Sequence, residues 1–134
     1  GQVTSGTNSI TQRAAITAFD SSLEPSMEMV KQFTIRRARV KELLKELPHI
    51  KCVEPQGAFY IFPDVSYYFG KKYGDQVINN SDDLCMYLLR EAHVSTVSGD
   101  AFGQTGYMRL SLATRLPPLE EAFKRITEGL AKLS

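Results

Sequence analysis

The sequence is poor in the residues that build metal centres and disulfide frameworks. It has two cysteines, two histidines and no tryptophan in 134 residues. Cys52 and Cys85 do not form a Cys-x-x-Cys pair, and His49 and His93 add no zinc-type spacing. We therefore expect no metal site and no disulfide, and we interpret both cysteines as reduced thiols.

The sequence also lacks an excess of charge and a long apolar run. Sixteen Lys and Arg stand against fifteen Asp and Glu, so no strong field attracts nucleic acid or an anionic membrane. No apolar run approaches the roughly 18 residues of a membrane-spanning helix, and the N-terminus resembles no signal peptide. We expect no nucleic-acid or membrane partner and a cytoplasmic location. An initiator Met is missing too, so we expect the chain to be a piece of a larger protein.

The apolar residues that are present suffice for one core. The composition, 43% hydrophobic and 23% charged, is typical of a soluble globular domain. A chain of this length buries about two-thirds of its unfolded surface. We predict a single domain over residues 1–134, without repeats.

Four segments have helical periodicity. The first begins at Asn8 or Ser9, the second opens at Pro25 and stops at Pro48, the third is capped by Ser81, and the last starts at Pro117. The apolar stripe of the first helix is Ile10, Ala14, Ala18 and Phe19, and that of the second is Met27, Val30, Phe33, Val40, Leu44 and Leu47. A basic run in the second helix, Arg36 to Lys45, is either an anion-binding stripe or a solvated face with interleaved glutamates, and we favour the solvated face.

Three segments have strand character: 58–62, 94–97 and 107–113. We predict a loop with one helical turn over residues 67–80. The fold class that follows is α+β, with a small, mainly antiparallel sheet and helices packed on one of its faces.

Arg109 stands out in the last of these strands. Strand residues alternate between faces, so Met108 and Leu110 belong to the core, and Tyr107, Arg109 and Ser111 lie on the opposite face. An arginine there needs a carboxylate partner or an open site, and its planar fork suits both oxygens of a carboxylate. The alternative is an arginine that reaches solvent or pairs with an internal aspartate.

Three motifs in their order along the chain resemble class I and II aminotransferases, which use pyridoxal phosphate. The segment 99–103, Gly-Asp-Ala-Phe-Gly, followed by 106–111, Gly-Tyr-Met-Arg-Leu-Ser, is similar to the C-terminal signature of that family. The segment 56–60 with Pro63 is similar to its glycine–aromatic strand, and residues 2–12 resemble the region after its cofactor lysine. The aspartate aminotransferase branch is the most similar. Ser98 departs from the proline that many members have before the loop glycine.

The resemblance implies a role for Arg109, which would grip the α-carboxylate of an amino acid or 2-keto acid substrate. Phe102 and Gly103 would belong to the loop before that strand, and core packing would explain Phe59 and Tyr60. Residues 1–22 would adjoin the large domain of the parent chain, with the segment 4–9 near the interface of a homodimer.

The lysine that carries pyridoxal phosphate in the family has no counterpart here, since none of the eight lysines lies in the family's Ser-x-x-Lys context. We therefore expect no catalytic, cofactor-binding or metal-binding residue in this chain, and no binding of pyridoxal phosphate by the chain alone. It would be the C-terminal, small domain of an aminotransferase acting on aspartate or a related amino acid with 2-oxoglutarate.

Two alternatives stay open from the sequence. One is a stand-alone α+β module that binds small carboxylates, or is purely structural, without catalysis. The other is a relative in which the same fold serves decarboxylation, carbon–sulfur cleavage or transcriptional control, because the missing part of such a protein sets the reaction.

Overall fold

A computed structural model describes residues 5–134, so the start of the motif at 2–12 and of the 1–22 segment lies outside the described residues. The chain divides into two compact units, one up to Gln32 and one over Phe33–Ser134. In the first, helix α1 spans Ser9–Asp20 and the side chain of Asn8 caps it by accepting a hydrogen bond from the Ile10 amide, 2.9 Å away. The predicted start of this helix is therefore confirmed.

Helix α2 spans Glu24–Glu46. It ends just before Pro48, as the sequence predicts, and begins one residue earlier than the predicted start at Pro25. Only part of its predicted apolar stripe is buried. Val40 is buried, as is Leu47 just after the helix, whereas Met27 and Val30 are exposed. A regular period predicts a common face of a helix but not how much of that face is covered.

The second unit contains a three-stranded antiparallel sheet. Its strands are β1 (Tyr60–Ile61), β4 (Val97–Ser98) and β5 (Met108–Ser111), in the spatial order β1-β5-β4. Strand β1 pairs with β5 through Tyr60 opposite Ser111, and β4 pairs with β5 through Val97 opposite Arg109. The α+β fold with a small antiparallel sheet is confirmed, with strands shorter than the apolar segments that predict them.

The segment predicted as a loop has more structure than its glycines indicate. A 3-10 turn spans Ser66–Tyr68, and a small hairpin joins β2 (Lys72–Tyr73) to β3 (Gln76–Val77). Gly74, in the turn between these strands, has φ of +57°, which is a left-handed conformation that glycine adopts without steric cost. The helical turn is confirmed, and the hairpin was not predicted.

Helices α3 (Ser81–Glu91) and α4 (Leu116–Leu130) complete the second unit. The predicted cap of α3 is wrong by one residue: Asn80 accepts the hydrogen bond of the Asp83 amide, and Ser81 is the buried first residue of the helix. One hydrophobic cluster unites the two helices with the sheet. Its fully buried members include Leu84, Leu88, Phe123, Ile126, Met108 and Ile61. The two helices therefore pack on one face of the sheet and leave its other face free of them.

Candidate functional site

Arg109 lies in the middle of the free face of the sheet, the face that α3 and α4 do not cover. Its neighbours along β5, Met108 and Leu110, are buried, whereas Arg109 is partly exposed and Ser111 is exposed. The predicted alternation of faces is confirmed. The strand therefore fixes the direction of the Arg109 side chain, because a shift in register that turned this side chain inward would also expose Met108 and Leu110.

Two aromatic rings lie near the guanidinium of Arg109. Its guanidinium carbon lies over the ring of Phe102, 4.5 Å from the centroid, and 5.7 Å from the centroid of Tyr60. Phe62 contacts Phe102 edge-on, with centroids 6.0 Å apart, and stacks on Tyr107 at 5.4 Å. A cation within about 6 Å of a ring centroid is attracted by the negative face of the ring, so Arg109 has an attractive environment without a negative charge.

No acidic side chain neutralises Arg109 among residues 5–134. In that part of the chain, every ion pair involves a cation other than Arg109, and the Arg109 guanidinium donates no hydrogen bond. Of the two sequence alternatives, pairing with an internal aspartate is therefore not observed in the described residues. The five N–H donors of the fork stay available for an external acceptor.

The loop before β5 brings Phe102 to Arg109. Residues Gly99–Phe102 form a 3-10 turn, which Gly103 ends with a left-handed φ of +74°. Ser98 donates a hydrogen bond to Asp100 over 3.1 Å, and Thr105 donates one to the other carboxylate oxygen of Asp100 over 2.6 Å. The hydroxyl of Ser98 thus anchors this loop through a hydrogen bond.

The expectation that core packing explains Phe59 and Tyr60 is wrong. The two residues are 54% and 40% exposed, respectively. Tyr60 lies on the same side as Arg109 because it pairs with Ser111, two residues along β5. Strand register is what brings them together, and the alternating pattern of either strand alone does not reveal it.

The basic run of α2 takes part in structural contacts. Arg39 forms ion pairs with Glu42 and Glu120, and Arg37 donates a hydrogen bond to the backbone oxygen of Gln56. The bond from Arg39 to Glu120 is 2.6 Å long and joins α2 to α4. The interpretation as a solvated face with ion pairs fits these contacts better than an anion-binding stripe.

The described residues do not fit a pyridoxal phosphate site by themselves. A lysine that forms an imine must lose its proton, and burial in an apolar pocket is one way to favour that. All eight lysines of the sequence lie in the described part of the chain, and every one is at least partly exposed. Within residues 5–134, no group of three His, Cys, Asp or Glu side chains could hold a metal ion, and no helix is both long and apolar enough to cross a membrane.

Comparison with known proteins finds one family model and several relatives that match nearly the whole of this chain. The sequence model of the family "Aminotransferase class I and II" matches residues 1–126. The bifunctional aspartate aminotransferase and glutamate/aspartate-prephenate aminotransferase of Petunia hybrida is 42% identical over 98% of this chain and 28% of its own length. The aspartate/prephenate aminotransferase of Nitrosomonas europaea is 39% identical over 97% of this chain and 33% of its own length.

Solved structures of aminotransferases have a similar fold over nearly the whole of this chain. The crystal structure of the aspartate aminotransferase from Rhizobium meliloti superimposes with a TM-score of 0.88 and 36% identity, over 99% of this chain and 34% of that one. The alanine aminotransferase from Pyrococcus furiosus gives a TM-score of 0.78 with 31% identity, over 93% of this chain and 30% of that one. The chain thus spans about a third of the length of the proteins that it matches.

Proposed function

The chain belongs to the class I and II aminotransferase family, and we propose that it is the C-terminal domain of an enzyme that moves an amino group between an amino acid and a 2-keto acid. The support is the similarity of nearly the whole of this chain to relatives that are named aminotransferases. The names of these relatives contain aspartate, and we propose aspartate or a related amino acid as the amino donor, with 2-oxoglutarate as its 2-keto acid partner.

We assign to Arg109 the binding of the substrate α-carboxylate. The observation that carries this assignment is an arginine on the free face of the sheet, near the rings of Phe102 and Tyr60 and without an acidic partner in the described residues. The guanidinium can donate two parallel hydrogen bonds to the two carboxylate oxygens. This would fix the orientation of the substrate relative to the reacting amino or keto group.

The cofactor lysine and the groups that hold pyridoxal phosphate would then belong to the rest of the protein, the large domain, since this chain offers no buried lysine. The cofactor supplies the electron sink that makes transfer of the amino group feasible. The assembly of two such proteins into a homodimer is part of the same proposal.

The test is Arg109→Ala in the full-length protein, assayed with several amino acids and 2-keto acids. All of these substrates share the α-carboxylate, so kcat/KM should fall with every one of them while the absorbance of the bound cofactor stays unchanged. Glu121→Ala, on the exposed side of α4, is a control that changes a charge elsewhere. Unchanged activity of Arg109→Ala would overturn the assignment, and a loss confined to acidic substrates would make Arg109 a reader of the substrate side chain instead.

The full-length protein also distinguishes the proposed aminotransferase from the alternative, a stand-alone module that binds carboxylates without catalysis. If the gene encodes no further domain, and the chain binds acetate or succinate through Arg109 without transferring amino groups, that alternative holds and the proposal of an aminotransferase domain fails.

A further inference from the structure

We propose that Phe102 is a positioning residue for Arg109: its ring holds one face of the guanidinium and leaves the hydrogen-bonding edge free for a carboxylate. The inference rests on the proposed role of Arg109. It concerns a loop residue outside the strand, for which the sequence indicated no function of its own.

The distances support a contact between the ring and the cation. The guanidinium carbon of Arg109 is 4.5 Å from the centroid of the Phe102 ring, nearer than the 5.7 Å to Tyr60. Cation–π attraction uses the face of the guanidinium, whereas bidentate carboxylate binding uses its N–H edge. Arg109 can make both contacts at once. A carboxylate side chain in the place of Phe102 would also hold the cation, but it would occupy the same donors that a substrate needs.

Phe102 is itself fixed in place by the loop that carries it. The hydroxyl of Thr105 and that of Ser98 both donate hydrogen bonds to the Asp100 carboxylate. The Gly103 amide donates to the carbonyl oxygen of Asp100 over 3.0 Å and so closes the turn. The ring of Phe62 supports Phe102 from the side, with planes at 84°. A ring held in this way can restrict the arginine rotamers, which lowers the entropy lost when a carboxylate binds.

The test uses two variants of the full-length protein. Phe102→Leu keeps an apolar side chain but removes the ring face, and Phe102→Tyr keeps the ring. Because a cation–π contact at a partly exposed site is modest, kcat/KM should fall by about two- to fivefold in Phe102→Leu. The loss should appear mainly as a higher KM for every amino acid, and Phe102→Tyr should restore wild-type values. Tyr67→Leu is the matched control, because it removes a ring that lies 4.9 Å from a different cation, Lys71.

A double-mutant cycle separates positioning from a merely structural role. If Phe102 acts through Arg109, Phe102→Leu should change kcat/KM by less than about 1.5-fold once Arg109 is already alanine. An equal loss in both backgrounds, or a loss in Phe102→Tyr as large as in Phe102→Leu, would overturn the inference while leaving the proposed role of Arg109 intact. If Arg109→Ala itself has no effect, the proposed function of Arg109 fails first, and this inference fails with it.

Discussion

The hydroxyl of Tyr87 donates a hydrogen bond to the carbonyl oxygen of Gly129 over 2.8 Å, inside the core. This bond joins α3 to α4 at a point where Gly129 lets the helices approach closely. A Cβ atom on Gly129 would lie 3.3 Å from the Cβ of Ala92 and 3.4 Å from a methyl group of Leu88. The helix pair that covers the sheet is therefore fixed by a polar contact as well as by apolar packing.

Stability should fall at high pH because of two buried tyrosines. Burial raises the pKa of Tyr87 to about 12 and that of Tyr68 to about 12, above the ordinary value of about 10. A raised folded-state pKa means that the stabilisation is complete below pH 10 and is lost as the pH rises towards 12. Urea unfolding of the chain between pH 8 and pH 12 should show this decline in the free energy of unfolding.

Tyrosine-to-phenylalanine variants identify the groups responsible. Tyr68 donates its hydroxyl hydrogen bond to the carbonyl oxygen of Pro48 over 2.6 Å, so Tyr68→Phe should cost about 0.5–1.5 kcal/mol at neutral pH and flatten the alkaline decline. Tyr67→Phe, at an exposed position, is the control. A decline of unchanged steepness in a variant lacking both Tyr68 and Tyr87 hydroxyls would contradict this explanation.

Gly99→Ala should destabilise the loop that carries Phe102. An added Cβ would lie 2.3 Å from the backbone oxygen of Gln104 and 2.7 Å from that of Tyr107, distances at which the backbone must move. We expect a loss of about 1–3 kcal/mol in the free energy of unfolding. Gly57→Ala is the matched control, since its Cβ would meet nothing within 4 Å. Equal unfolding curves for the two variants would show that the loop accommodates the methyl group.

Arg109→Lys should not act as a conservative change in the full-length protein. Lysine keeps the charge but loses the second hydrogen bond and the planar fit to a carboxylate. Loss of one charge-assisted bond should cost about 1.5–3 kcal/mol, which is roughly a ten- to a hundredfold decrease in kcat/KM. Steady-state kinetics with aspartate and with a neutral amino acid measure it. Wild-type kinetics in Arg109→Lys would show that only the charge matters.

The isolated chain should associate with itself through α1. None of the residues of this helix is buried, and Phe19 and Ile10 are 90% and 79% exposed. Exposed apolar surface promotes association, so sedimentation velocity should show dimers or larger species that increase with concentration. Ile10→Gln with Phe19→Gln should reduce them, whereas Thr11→Gln, a polar change on the same helix, should not. A monomer at high concentration would contradict the prediction.

Pyridoxal phosphate should not stay bound to the isolated chain. Its lysines are all at least partly exposed, so they should form only slow, reversible imines that are lost on desalting. Absorbance of the desalted chain, with the full-length protein as the positive control, measures the bound cofactor. One equivalent of cofactor that disappears when a single lysine is replaced would contradict the prediction.

Local sequence patterns were enough to establish the α+β class, the start of α1 at Asn8 or Ser9, the end of α2 before Pro48, and the inward face of β5. These features follow from capping, from proline geometry and from the alternation of side chains along a strand. The alternation also predicts that Arg109 lies on one face of β5 and that Met108 and Leu110 lie on the other.

The surroundings of Arg109, in contrast, depend on the tertiary structure. Phe102 reaches it through a turn closed by Gly103, and Tyr60 reaches it through the register of β1 with β5. The register joins residues distant in sequence, which no local pattern specifies. The same reason explains why Met27 and Val30, which belong to the predicted apolar stripe of α2, are exposed. A period places side chains on one face, and only packing determines whether another element covers that face.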